Sequence, residues 1–106
     1  MSTKRKYKNS VPLEEFLVEC LETKEMQKGF LNTSLKSFLE DGNFDEFLRS
    51  LELVIKSRQS LLSFSKDVEL NRSNLYAIFR GKRKPQFGTI LKILSKLGYT
   101  LKVALF

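Results

Sequence analysis

Few side chains in this chain of 106 residues suit covalent chemistry. Histidine is absent and Cys20 is the only cysteine. That removes zinc-finger ligand sets, Ser-His and Cys-His nucleophile pairs, and any intrachain disulfide. A lone thiol fits a reducing compartment, and between apolar neighbours Cys20 reads as a small packing residue. Two groups of carboxylates remain. Glu14, Glu15, Glu19 and Glu22 cluster on one short stretch. Paired acids move protons only in a dry, shaped cleft, and an exposed helix with no second reactive group beside it offers none. Asp41, Asn43, Asp45 and Glu52 stand at positions 1, 3, 5 and 12 of a calcium loop, but position 6, where such a loop needs glycine, is Glu46. No catalytic residue, no cofactor and no metal site is therefore expected.

The bases carry more information. The net charge of +7 is unevenly spread. Residues 1–10 hold Lys4, Arg5, Lys6 and Lys8; residues 11–57 hold five bases and ten acids; residues 58–106 hold ten bases against only Asp67 and Glu69. An acidic half and a basic half suggest two faces for two partners, and bases at that density point to nucleic acid. No apolar run is long enough to span a membrane, and residues 1–10 lack the apolar segment of a secretory signal. A cytoplasmic protein is the expectation.

The elements that must position these groups follow from periodicity. Residues 1–10 have no period and read as a basic, flexible tail. Pro12 suits a first helical position, and Leu13, Phe16, Leu17 and Leu21 follow at helical spacing. Thr23 can cap a second helix with the stripe Met26, Phe30, Leu31, Leu35, Phe38 and Leu39, ended by Gly42. Asn43 and Glu46 have the spacing of a capping box. The third helix then turns Phe44, Phe47, Leu48, Leu51, Val54 and Ile55 inward, with Asp45, Glu46, Arg49 and Glu52 outward. Ser60 opens a short helix with Leu61, Leu62, Phe64 and Val68. Asn71 opens another, with Leu75, Ile78 and Phe79 inward and Gly81 as its stop. Pro85 and Phe87 lead into a last helix bearing Ile90, Leu91, Ile93, Leu94 and Leu97, stopped by Gly98. From Tyr99 the period changes to two: Tyr99, Leu101, Val103 and Leu105 alternate with Thr100, Lys102 and Ala104, a strand pattern. A lone strand leaves its backbone groups unpaired, and its simplest partner is the same strand of a second copy about a two-fold axis.

Residues 64–80 hold the most specific pattern. Two short helices crossing steeply at a tight turn need a small residue where they touch, and Ser65 stands there, after apolar Phe64. Val68, Leu70, Leu75 and Ile78, at offsets 4, 6, 11 and 14 from Phe64, supply the shared apolar contact. On these residues the stretch 60–98 resembles the Xre (lambda-repressor-like) helix-turn-helix family. The run Leu75-Tyr76-Ala77-Ile78-Phe79-Arg80-Gly81-Lys82-Arg83-Lys84-Pro85 is similar to that family's recognition helix and following loop. Thr89-Ile90-Leu91-Lys92-Ile93-Leu94 and Leu97-Gly98 are similar to its next helix. Residues 23–103 resemble a narrower group, the HigA-like addiction module antidote proteins. The resemblance lies in Glu40-Asp41-Gly42, in Asn71-Arg72-Ser73-Asn74-Leu75-Tyr76, and in the ending Leu97-Gly98-Tyr99-Thr100-Leu101-Lys102-Val103. The sequence departs at Glu69, where such turns usually carry glycine, and at Gln86, where a serine cap is usual. A non-glycine residue at positive φ costs roughly 1 kcal/mol.

The resemblance implies a mainly α fold: a lambda-repressor-like helix-turn-helix bundle with two extra N-terminal helices and one C-terminal β-strand paired across a homodimer. The implied segments are a basic tail (1–10), an N-terminal helical extension (11–42) and a DNA-binding domain with its dimerisation strand (43–106). It implies double-stranded operator DNA as ligand. Base edges in the major groove would be read by Asn71, Arg72, Ser73, Asn74, Tyr76, Ala77 and Arg80. There Arg72 suits guanine, Asn71 or Asn74 suits adenine, and Ala77 a thymine methyl. Ser60, Lys82, Arg83 and Lys84 would hold phosphates. Tyr99, Leu101, Val103 and Leu105 would pair the copies. The resemblance further implies that the acidic region 11–57 docks a small basic, RelE-like ribonuclease toxin. A stand-alone, prophage-like repressor without a toxin partner is the alternative, and a protein-interaction adaptor that binds no DNA is a third.

Overall fold

The computed structural model describes Phe16 and residues 19–103. The chain divides into two compact units, Met1–Arg58 and Gln59–Phe106. The first holds α1 (Lys24–Asp41) and α2 (Phe44–Arg58); the second holds α3 (Leu61–Asp67), α4 (Arg72–Phe79) and α5 (Phe87–Lys96). The expected segment boundary after Gly42 lies inside the first unit. Among the described residues no helix is long and apolar enough to cross a membrane.

In the first unit, Phe16 and Glu19 are helical, and the Cys20 N–H donates to the Phe16 carbonyl at 3.0 Å. The rest of the helix expected from Pro12 lies largely outside the described residues, as does the tail 1–10. Cys20 is exposed, so it is not the packing residue expected from its neighbours. Thr23 caps α1 by accepting from the Met26 N–H at 3.1 Å. At the other end Gly42, at φ +71°, donates to the Phe38 carbonyl, the single-bond left-handed cap that glycine permits. The expected apolar stripe of α1 is not a buried face. Met26 is 50% exposed and Leu39 71% exposed, and the buried positions are Leu31 and Gln27.

Gln27 is buried because both ends of its amide are satisfied. Its Nε2 donates to the Leu21 carbonyl at 2.9 Å, and its Oε1 accepts from Arg58 Nε at 2.7 Å. One side chain thus joins the turn before α1 to the end of α2. Helix α2 buries Phe47, Leu48, Leu51, Val54 and Ile55, as its periodicity predicts. Phe38, Phe44 and Phe47 form an aromatic trio with ring centroids 5.5–6.4 Å apart where α1 turns into α2. The capping box is half formed. Asn43 Oδ1 accepts from the Glu46 N–H, but the Asn43 N–H goes to Asp41 Oδ1 rather than back to Glu46. Glu52, expected outward, is buried, with its carboxylate 3.3 Å from Lys56 Nζ one turn on.

The second unit repeats one device three times. Each helix ends in a Schellman motif, in which the residue after the C-cap takes a left-handed conformation and two amides bond back into the last turn. For α4 that residue is Gly81 (φ +77°), with Gly81 N–H to Ile78 and Lys82 N–H to Ala77. For α5 it is Gly98 (φ +93°), with Gly98 N–H to Ser95 and Tyr99 N–H to Leu94. For α3 it is Glu69 (φ +58°), with Glu69 N–H to Lys66 and Leu70 N–H to Ser65. The glycine missing from the turn is therefore missing where the backbone is left-handed. Ser60 caps α3 and Asn71 caps α4 through their side-chain oxygens, whereas Gln86 makes no side-chain cap for α5.

Phe64, Ser65, Val68, Leu75 and Ile78 are all buried, and α3 and α4 pack on one another across a four-residue turn. The small residue at 65 lets them approach, and its hydroxyl is satisfied by the Leu62 carbonyl at 2.7 Å. Helix α5 buries Ile90, Ile93 and Leu94, but Phe87 is 67% exposed. Residues 99–103 form no strand, and no strand exists among the described residues. A strand is defined by a ladder, and no other described segment offers one. Leu105 lies outside the described residues.

Candidate nucleic-acid interface

The start of α3 and the outer face of α4 present one shallow concavity. It is lined by Leu62, Asn71, Arg72, Ser73, Tyr76, Ala77, Arg80 and Lys82. Six of the seven residues expected to face base edges lie there, with one of the four expected to hold phosphates. The local reason is capping. Asn71 spends its side-chain oxygen on the Ser73 N–H at 2.7 Å, which fixes where α4 begins. Burial of Leu75, Ile78 and Phe79 then turns the opposite face, with Arg72, Ser73 and Tyr76, outward.

Within that face the groups are organised. The guanidinium carbons of Arg72 and Arg80 lie 5.3 and 5.4 Å from the centroid of the Tyr76 ring. A tyrosine at the middle of an i, i+4, i+8 row therefore touches the cations before and after it. The loop after α4 is also held. The Lys82 and Arg83 amides both donate to the Ala77 carbonyl, at 2.9 and 3.2 Å, and Arg83 Nη1 donates to Asn74 Oδ1 at 2.6 Å. Two of the amide oxygens expected to face adenine already accept a bond. The Asn71 oxygen is engaged as a cap and the Asn74 oxygen as an acceptor for Arg83, so reading adenine through both amide atoms competes with these bonds.

Not every expected residue joins the concavity. Asn74, Arg83, Lys84 and Ser60 are not part of its lining. Arg83 and Lys84 are exposed on the following loop, and Ser60 is exposed at the cap of α3. Of the strand residues, Tyr99 is half-buried, Leu101 is exposed and Val103 is 98% exposed. Leu62 is the lining residue that the sequence reading placed in the core. Its position about 100° round the helix from Leu61 could have shown that it lies off the face shared by Leu61, Phe64 and Val68.

The electrostatics are one-signed. The second unit carries nine bases and two acids, and no acid follows Glu69. That excess of bases attracts an anion outside the molecule. The first unit differs. Glu22, Glu25, Glu40, Asp41, Asp45 and Glu46 are exposed, and a small cleft between α1 and α2 is lined by Thr33, Ser34, Ser37, Asp41 and Glu46 among others. Among the described residues no three Cys, Asp or Glu side chains gather as a metal ion would need.

Residues 13–105 match the family described as "probable addiction module antidote protein". That match takes in both units and nearly all of the chain. The chain belongs to the addiction module antidote family. No curated protein and no solved structure matches it. In this antidote-family chain the excess of bases falls on the second unit, whose helix α4 and following loop bring arginine, tyrosine and lysine to one face, whereas the first unit carries ten bases and ten acids.

Proposed function

We propose that this antidote has two ligands: a toxin held by the acidic stretch 11–57 of the first unit, and duplex DNA held by the basic second unit. The observation that carries the DNA half is the α4 concavity, where Arg72, Tyr76, Arg80 and Lys82 stand together on a surface with no carboxylate after Glu69. In this reading α3 and α4 are a helix-turn-helix. Helix α4 enters the major groove, Arg72 and Arg80 donate to guanine, Leu62 and Ala77 meet thymine methyls, and Lys82, Arg83 and Lys84 hold phosphates. The protein binds its operator as a homodimer. The exposed apolar positions Leu101 and Val103, with Leu105 next in the sequence alternation, favour an antiparallel pairing of C-terminal strands, which gives residues 99–103 the ladder they lack in one chain.

Family membership supports the toxin half, since an antidote acts on a toxin. A RelE-like ribonuclease must grip RNA and is therefore basic, which complements the exposed acids of the first unit. This half is tested by co-expressing the tagged chain with its adjacent reading frame and weighing what co-purifies. A small basic protein retained one-to-one, and toxic when expressed alone, is the expected outcome. No retained partner and no toxicity would reduce the protein to a stand-alone repressor.

A further inference from the structure

The loop after α4 does more than bring bases near the concavity. The turn at Gly81 folds it back along the helix, so that the Lys82 and Arg83 amides both reach the Ala77 carbonyl, at 2.9 and 3.2 Å. Arg83 is tied a second time, because its Nη1 donates to Asn74 Oδ1 at 2.6 Å. Backbone and side chain of one exposed arginine are thus both held by α4. Asn74 is half-buried, so its own place is set by the helix. Round the helix axis it falls between Ala77, which lines the concavity, and Ile78, which is buried, within about 60° of each. Asn74 therefore stands on the flank of α4 and not on its outer face. An α-helix with its side chains is about 10–12 Å wide, and the major groove about 12 Å. A helix that fills the groove turns its outer face to base edges and its flanks to the phosphate walls. Asn74 takes one of several guanidinium N–H donors, so the bond steers the head group without using it up. We infer that Asn74 is a positioning residue: it holds Arg83 on the flank of α4 as a preset phosphate clamp and reads no base itself. The inference rests on the DNA-binding reading above.

A long side chain that is ordered only on binding loses its rotamer freedom at that moment. A clamp ordered beforehand loses less, and phosphate contacts are what fix register and orientation on a duplex. The charge involved is that of Arg83 alone, since an amide neutralises no phosphate. Asn74 therefore matters to affinity through Arg83, and not to the choice of bases.

The test uses the full chain and labelled duplexes, with the preferred site first selected from a randomised library and affinities then measured by anisotropy across a salt series. Asn74→Ala keeps a good helix former in α4 and removes only the acceptor. It should weaken binding to every sequence by about two- to tenfold, the cost of ordering one long side chain on binding. Its salt dependence should stay as steep as before, and the preferred bases should not change. Arg83→Ala should also weaken every sequence alike, and lower the steepness of the salt dependence by about 1. The double variant Asn74→Ala/Arg83→Ala should bind no more weakly than Arg83→Ala, because Asn74 acts only through the arginine. A merely structural role for Asn74 would persist without Arg83, and the two losses would then add. The inference is overturned if the losses add, if Asn74→Ala binds as tightly as the unaltered chain, or if Asn74→Ala changes the preferred bases, which would make the amide a reader. If the unaltered chain binds no duplex at any salt concentration, the DNA reading itself fails and the inference with it.

Discussion

Glu69 offers the sharpest test of how the turn between α3 and α4 is held. It sits at φ +58° in the position that Gly81 and Gly98 occupy at the ends of α4 and α5. An L-residue in that conformation is strained by about 1–2 kcal/mol, because its Cβ crowds the following carbonyl. Glu69→Gly removes that strain and leaves both Schellman bonds in place, from the amides of Glu69 and Leu70. Against this, glycine widens the unfolded ensemble by about 0.4–1 kcal/mol. The net gain is about 0.5–1 kcal/mol, which for a domain of this size raises Tm by about 2–8 °C. The converse substitution calibrates it. Gly98→Ala meets open space around the added Cβ, so only its φ of +93° is felt, and Tm should fall by several degrees. Thermal unfolding followed by circular dichroism, at low and at high salt, reads both. Strain is not screened, so the gain from Glu69→Gly should survive in high salt. An unchanged or lowered Tm for Glu69→Gly, beside a lowered Tm for Gly98→Ala, would refute the argument.

Further outcomes follow from other contacts. Gln27→Leu leaves the buried Leu21 carbonyl without this donor and the half-buried Arg58 Nε without this acceptor, and should destabilise the first unit by about 2 kcal/mol in urea unfolding. Lys82→Ala should weaken binding to all duplex sequences alike and lower the steepness of the salt dependence by about 1, read by fluorescence anisotropy. Val103→Lys should leave unfolding unchanged but give monomers in analytical ultracentrifugation; dimers of unchanged affinity would remove the strand-pairing proposal.

The helices were legible because their ends and stripes are local. Thr23, Ser60 and Asn71 accept the amides their positions predict, and Gly42, Gly81 and Gly98 take the left-handed conformations that end helices. The face of α4 was legible for the same reason: once Leu75, Ile78 and Phe79 are inward, the arginines must be outward. What the sequence hid are polar groups that satisfy one another. Gln27 and Glu52 look like surface residues by type, yet each is buried against a partner, Arg58 31 positions away in one case and Lys56 in the other. Hydropathy also overstated α1, whose Met26 and Leu39 lie off the face toward α2. The pairing of Tyr76 with two arginines needs rotamers as well as spacing, and so came only with coordinates.

The central claim is that the exposed face of α4 binds duplex DNA. The most direct measurement is the affinity of the full chain for a labelled duplex across a salt series, beside the Arg72→Ala/Arg80→Ala double variant. The account predicts that log affinity falls linearly with log salt, with a slope of about −3 or steeper per chain from phosphate contacts. It also predicts that the double variant keeps phosphate binding but loses sequence preference. A shallow slope, or a double variant that prefers the same sequences as the unaltered chain, would contradict it.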